Sequence, residues 1–522
     1  MTVYQGTILT VNAGDEVCRY LVEDRGRIVF VGDELPKKYR NAAVVELGER
    51  CLIPPFADTH QHFASFSAFH AGLNVMEARS NREILGMVDR FAAESPAGTL
   101  IAFGASPNSV EERRLVSREE LDPVTHGKPL FLVKYDGHAC VVNTALLRKL
   151  PKKVRTLRGY HEDTGEMNQE AFFAVSDYIT NSIPPLELLR DMQLAADYEA
   201  SKGIGLIHTV SGVGFTLNLD ISMETWFARS VQNGLQIRVF PQSMDTGVAR
   251  LRGLPRIGGC FACALDGCFG SRDAAMNEPY ASEPDNSGVL YYTDEQVTDF
   301  CKRANRAGLQ IEMHAIGDRA FDQACRALKA ALDDCPREDH RHGIIHACLP
   351  TESGMQICER YHIQLPMQIA FDNWRQEPPE YTVALLGEER NARLNPVRSF
   401  ASRGCTVSFG SDGPCTSPDP IVWLYKAVNH SNPAEAVTIR EALRMATYNG
   451  YWVSFDEKER GSLETGKIAD MVVLSTNPYA LPKEKLLELR VEQVIFGGKS
   501  YRPQSQGVPA AIMKGMVSHR KA

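Results

Sequence analysis

Four apolar runs of β-strand character end in a histidine or an aspartate, and this constrains the fold more than any other feature of the chain. They are Leu52-Ile53-Pro54-Pro55-Phe56-Ala57-Asp58-Thr59-His60-Gln61-His62, then Leu309 to His314, Gly343 to His346, and Cys405 to Asp412. The last three each follow a segment of helical period. Such alternation makes parallel strands joined by crossover helices, and in a closed barrel the C-terminal strand ends face one shared mouth. His60, His62, His314, His346 and Asp412 would all stand there. Alternate side chains on a strand share a face, so His60 and His62 point the same way. The pair alone means little: 14 histidines in 522 residues give about 0.4 such pairs by chance, and His340 and His342 form a second one. A lone buried histidine is ordinarily a core residue. Four histidines and an aspartate at equivalent strand ends instead indicate a metal-binding constellation.

The fold class read from this pattern is α/β, a TIM-type (β/α)8 barrel with a small β-sandwich domain built from both chain termini. Residues 1–54 and 460–522 both carry short strands bounded by Gly and Asp, among them Gly26 to Asp33 and Gly466 to Leu474, and they form the composite domain. Residues 55–459 form the barrel, with insertions at 63–128 and 151–185. Nine candidate strands lie near 52–57, 130–135, 205–210, 235–240, 259–265, 309–314, 343–346, 363–368 and 405–410. An eight-stranded barrel leaves one over, and 235–240 is the choice. Substrate selection belongs to the long loops after the strands, including Ser271 to Gly288.

The charge balance removes several classes of partner. With 57 basic and 65 acidic residues the net charge is -8, and there is no basic run of the kind that tracks phosphates. A small-molecule substrate is therefore expected, without nucleic acid, and self-association into a homo-oligomer is left open. The chain begins Met1-Thr2-Val3-Tyr4-Gln5-Gly6, with no basic segment leading into an apolar one, and no run of 18 apolar residues occurs, so no membrane association and a cytoplasmic location are expected. Thirteen cysteines, scattered and odd in number, suit reduced core thiols. Cys260-Phe261-Ala262-Cys263 has zinc or redox spacing, but no second pair answers it.

Several ordered motifs resemble the amidohydrolase superfamily, in particular its N-substituted formamide deformylase-like branch, nearly end to end. Asp58-Thr59-His60-Gln61-His62 is similar to the first-strand metal motif, His314-Ala315-Ile316-Gly317-Asp318-Arg319-Ala320 to the fifth-strand signature, Arg341-His342 with His346-Ala347 to the sixth, and Gly410-Ser411-Asp412 to the eighth. Asp136-Gly137-His138, Asp266-Gly267, Gly270-Ser271-Arg272 and Gly461 to Asp470 also match.

The resemblance implies metal-dependent hydrolysis of a non-peptide C–N bond, as in an amide or formamide. A divalent ion, most simply Zn²⁺, would be held by His60, His62 and His314, since imidazole suits zinc, and would activate water. Asp412, at the ion's edge, would carry the water's proton to the departing nitrogen. His346 would ligate a second ion or hydrogen-bond the nucleophile. Two departures bear on this. The branch has a bridging lysine four residues before the Asp-Gly pair, where this chain has Ala262; one ion is therefore favoured over two, with Cys263 or Glu170 as alternative donors. Ile345 stands where the branch often has glutamate.

Among the remaining residues, His138, Arg272, Tyr280 and Trp374 are substrate-contact candidates. Asp58 is placed to orient His60, Asp318 to cap a helix beginning at Arg319, and His208 and His342 to be structural. Two alternatives stand beside the hydrolase reading. A deaminase of an aminated heterocycle would usually carry glutamate three residues after the fifth-strand histidine, where Gly317 stands. A catalytically inactive relative fits Ala262 but not the retained histidines and Asp412.

Overall fold

The computed structural model describes residues 1–212, 218–230, 234–503, 508–518 and 520–522. Among them, eight parallel strands form the centre of the molecule in chain order: β1 (Phe56–Gln61), β2 (Ile204–Ser211), β3 (Gln236–Pro241), β4 (Arg256–Gly259), β5 (Gln310–Ala315), β6 (Gly343–His346), β7 (Leu365–Met367) and β8 (Val407–Phe409). They are almost wholly buried, which is why β2 reads as a continuous apolar run rather than an alternating one. Hydrogen bonds gather them into three arcs, β1-β2-β3, β4-β5-β6 and β7-β8. The arcs join one another in turn. The Cys260 N–H just after β4 donates to Gln242 Oε1 just after β3 (3.0 Å), the Ile344 N–H of β6 to Gln364 O beside β7 (3.1 Å), and the Asp412 N–H beyond β8 to His60 O of β1 (2.8 Å).

The crossover helices follow from local signals. The helix Asp294–Arg306 opens with a reciprocal capping box of Thr293 and Gln296. The helix Asp318–Asp334 buries Ala320, Phe321, Ala324, Ala327, Leu328 and Ala331, a stripe of helical period facing the strands.

Three strand expectations are corrected. The run at 235–240 belongs to the central set as β3, and the surplus run is 130–135. Its strand, Leu130–Lys134, lies in a separate five-stranded sheet between β1 and β2 in the chain, paired with Leu100–Ala105 and Ala139–Val142. Both runs are short and apolar, so only the pairing partner separates them. The run at 52–57 divides at Pro54-Pro55, which supply no N–H groups to a ladder: Ala43–Ile53 ends before them and β1 begins after. The run at 259–265 is strand only to Gly259 and then becomes a single tight turn, Phe261–Cys263.

Strands from both ends of the chain share one sheet. Thr2–Leu9, Val17–Asp24, Arg27–Gly32 and Ala43–Ile53 are joined by Met471–Leu474, Val491–Phe496 and Lys499–Ser500. All seven lie in one hydrogen-bonded sheet. Its first strand shifts register between Gln5 and Ile8, a bulge that bends a sheet, and Tyr4, Ile8, Leu21, Leu52, Val473 and Ile495 pack as one cluster. Among the described residues no helix is long and apolar enough to cross a membrane.

Charged side chains are buried on the central strands. Arg238 of β3 donates from Nε to Asp456 Oδ2 (2.8 Å), with both groups almost fully enclosed, and Arg256 and His208 are buried near them. On β5, Glu312 Oε1 accepts from Gln364 Nε2 (2.8 Å); burial pushes its carboxyl up to about 8 against the pull of Gln364 and Arg256. Removing one partner of a buried ion pair leaves the other charge uncompensated. Asp456→Ala is therefore expected to cost about 3–5 kcal/mol, read as a lower denaturant midpoint. An unchanged midpoint would show that Arg238 does not depend on this carboxylate.

Candidate metal centre

The first and eighth strands set the geometry of the site. The Asp412 N–H donates to His60 O (2.8 Å) and the His62 N–H to Gly413 O (2.9 Å), while Thr59 Oγ1 donates to Phe409 O (2.9 Å). These bonds bring residues some 350 positions apart in sequence side by side at the strand ends. His346 closes β6 with φ 70° and Asp412 follows β8 with φ 54°. Non-glycine residues rarely adopt this left-handed backbone, and it concentrates at functional sites.

His60, His62, His314, His346 and Asp412 come together as expected, and all are buried. His60 Nε2 and His62 Nε2 lie 3.1 and 3.3 Å from Asp412 Oδ1, yet that oxygen has no hydrogen-bond partner of acceptable geometry. Near the centre of the cluster stands a side chain that the motif comparison missed. Cys260 Sγ is 3.4 Å from His60 Nε2, 3.5 Å from His314 Nδ1 and 3.9 Å from His346 Nε2. Three overlapping triads result, His60/His62/Cys260, Cys260/His314/His346 and His60/His346/Asp412, the ligating atoms of each within 4.8 Å of one another. Imidazole, thiolate and carboxylate are the donor types zinc prefers.

Counting four residues back from Asp266 reaches Ala262, but β4 ends at Gly259 and residues 261–263 form a turn. The residue leaving the strand toward the other ligands is therefore Cys260. Cys260 thus stands among the candidate ligands where the count to Ala262 found no donor. Neither alternative donor reaches the cluster. Cys263 is buried on the turn outside the three triads, and Glu170 is paired with Arg158 (2.8 Å) on the surface. Most of the thiols were expected to pack in the core; Cys260 instead stands among the candidate ligands.

Neighbouring groups suit the ligands to a cation. His314 Nε2 faces Gly267 O (3.1 Å); donation there leaves the Nδ1 lone pair toward Cys260, the arrangement that fixes a ligand's tautomer. Burial lowers the pKa of His60, against the pull of Asp412, and holds His346 well below the usual imidazole value, so both favour the neutral form that binds metal. Burial also acts to lower His314, but Asp266 outweighs it and the net shift is upward. Burial would raise the Asp412 carboxyl, yet His60 and His62 beside it keep it well below the usual carboxylate range. Burial pushes the Cys260 thiol well up, so a thiolate there needs a cation beside it.

The supporting residues divide. Asp58 Oδ1 accepts from the Ser411 N–H (2.9 Å) and the His60 N–H (3.3 Å), so it holds backbone at the β1–β8 join rather than the His60 ring. Asp318 does not cap its helix: Gly317 is the N-cap, and Asp318 Oδ1 accepts from the Asn277 N–H (2.7 Å). Asp266 binds the Ile316, Gly317 and Ala275 N–H groups. His208 is buried, and His342 bonds the Ile311 N–H and Asn305. Above the ligands opens a cavity of about 720 Å³, with His138 and Trp374 in its wall. Arg272 and Tyr280 are outside it. Arg272 is half-exposed and pairs with Glu283, whereas Tyr280 is a core residue whose hydroxyl donates to Ala274 O (2.7 Å). Both were placed in the substrate loop by position alone, and that loop folds on itself.

Six side chains with ligating atoms meet at the strand ends beneath a cavity, a candidate metal centre. Residues 43–501 match the sequence model of the Amidohydrolase family, and the chain belongs to that family. It is 25% identical over 516 residues to YtcJ of Bacillus subtilis (strain 168), a protein with an amidohydrolase designation, covering 93% of this chain and 96% of that one. It is 23% identical over 548 residues to the N-substituted formamide deformylase of Arthrobacter pascens, covering 95% and 97%. A crystal structure of an uncharacterized metal-dependent hydrolase from Pyrococcus furiosus superposes with a TM-score of 0.74 at 22% identity, covering 92% of this chain and 99% of that one, which shows a shared fold.

The β1–β8 join also predicts a sensitive position. A Cβ on Gly410 would stand 2.6 Å from His60 N and 3.0 Å from His60 O, so the two strands must part. Gly410→Ala is expected to destabilise the fold by about 1–3 kcal/mol, measured by denaturant titration. Wild-type stability would show that the join yields without cost.

Proposed function

We propose that this chain is a metal-dependent hydrolase of a non-peptide C–N bond in a small amide or formamide. The observation that carries the reading is the convergence of His60, His62, Cys260, His314, His346 and Asp412 at one cavity floor. In this reading the three strand arcs are one (β/α)8 barrel spanning 55–459, and the terminal sheet, from 1–54 and 460–522, is a companion domain. His60, His62, Cys260, His314, His346 and Asp412 would together hold two Zn²⁺ ions. Bound there, the cations supply Lewis acidity that makes water nucleophilic at neutral pH and polarises the substrate carbonyl.

The chain's residues do the rest. Hydrolysis adds the water oxygen to the acyl carbon, breaks the C–N bond and moves one proton to nitrogen. Asp412, a carboxylate beside the ligand nitrogens, accepts that proton and hands it to the departing nitrogen. His314, fixed by Gly267 O, keeps its lone pair on the site. Gly317, as helix N-cap with its N–H held by Asp266, has no proton-carrying side chain to serve a deaminase.

Metal-loaded protein should release amine from members of a panel of N-substituted formamides and amides. His60→Ala and Asp412→Asn should each lower kcat by about 10²–10⁴-fold with unchanged far-UV circular dichroism. Full activity in either variant would remove that residue from the reaction, and ammonia release from aminated heterocycles without amide cleavage would favour a deaminase. Cys260→Ala should lower bound zinc from two ions to one or fewer and abolish the sulfur-to-metal charge-transfer band of the cobalt form. Unchanged metal content would exclude the thiolate from the centre.

A further inference from the structure

We infer that the site takes an amide whose substituent is large, apolar and uncharged, and that it rejects substrates bearing a carboxylate. The inference rests on the hydrolytic reading of the cavity floor and concerns what the walls admit. At about 720 Å³ the cavity is sized for a whole drug-like ligand rather than a single small group. Phe103 and Phe131 enter it from the inserted five-stranded sheet, Phe172 from the helix Gln169–Thr180, and Phe69 from the helix Phe63–His70. From the floor a file of aromatic contacts runs back to the same cluster. The Phe371 ring stacks on His346 at 6.1 Å and lies 4.9 Å from Trp374, which meets Tyr135 at 5.2 Å. A flat ring or an extended aliphatic group can leave water against these faces, and each ring buried adds contact area and favourable ring geometry.

The charges on the wall have one sign. Among the described residues no lysine or arginine lines the cavity, while Asp136, Asp177, Asp266 and Glu377 do. Asp136 is matched by Lys134 behind it (2.7 Å), and Asp266 is occupied by backbone N–H groups. Glu377 Oε1 accepts from Tyr135 OH (3.2 Å). An entering carboxylate would lose its water and find no cation to replace it away from the floor, a penalty apolar sites impose on unpaired charge. The exclusion covers N-acyl amino acids whose carboxylate must sit in this chamber.

The test uses the metal-loaded full-length protein with three amides: N-(2-naphthylmethyl)formamide, its ring-carboxylated counterpart and N-methylformamide. The naphthyl compound should exceed each of the others in kcat/KM by about 100-fold or more. Trp374→Ala should raise its KM by about tenfold while changing kcat less than threefold, the mark of lost uniform binding. Ser176→Arg places a cation on the cavity wall and should narrow the discrimination against the carboxylated amide at least tenfold, by about 1.4 kcal/mol. Calorimetric titration with non-hydrolysable ketone analogues of the same three compounds separates the two layers of the argument. Selective binding of the neutral naphthyl ketone without any amide cleavage would overturn the hydrolytic reading and sustain the inference about the walls. Cleavage of all three amides with similar efficiency would sustain hydrolysis and overturn it, as would unchanged discrimination in Ser176→Arg.

Discussion

The site depends on the seam between the first and eighth strands. Two backbone hydrogen bonds, from Asp412 to His60 and from His62 to Gly413, together with the Thr59 hydroxyl on Phe409 O, fix a carboxylate against two imidazoles. Asp58 adds to the seam by binding N–H groups on both sides of it. Because Gly410 faces the His60 backbone with no room for a side chain, the strands approach closely enough for Asp412 Oδ1 to come within 3.3 Å of both ring nitrogens. Backbone rigidity thus supplies positions that flexible side chains could not hold unaided.

The histidines and Asp412 were legible in the sequence because each ends an apolar run, and strand ends in a parallel barrel face the same way. Cys260 was not, for a definite reason. A spacing rule carries over only where the backbone between two motif residues is unchanged, and here the tight turn at Phe261–Cys263 takes up residues that the count assigned to a strand. The surplus strand was misassigned on different grounds: Leu130–Lys134 and Gln236–Pro241 have the same length class and composition, and the choice between them is made by non-local pairing. Arg272 and Tyr280 show a third limit. Both lie in the loop after β4, yet Glu283 and Ala274 O, in the same loop, take up their polar groups. Position after a strand indicates proximity to the mouth, not exposure to it.

The floor gathers imidazole, thiol and carboxylate groups in one buried space. Burial pushes the Cys260 thiol up and acts on the Asp412 carboxyl in the same direction, yet His60 and His62 beside Asp412 hold its carboxyl well below the usual range. In the proposed reading a cation would stabilise the thiolate and be held by the carboxylate. Two of the three triads meet at Cys260, so that one sulfur lies between candidate ligand groups from the first and second arcs.

The separation of floor from walls has a consequence for how such a chain can change. The ligands come from β1, β4, β5, β6 and the end of β8, all part of the closed set of strands. Part of the aromatic wall comes from the segment inserted between β1 and β2, whose sheet packs through its own buried clusters, including Phe103, Phe131 and Phe172. Substitutions in those side chains alter the shape and charge of the chamber without entering the hydrogen bonds that hold the ligands.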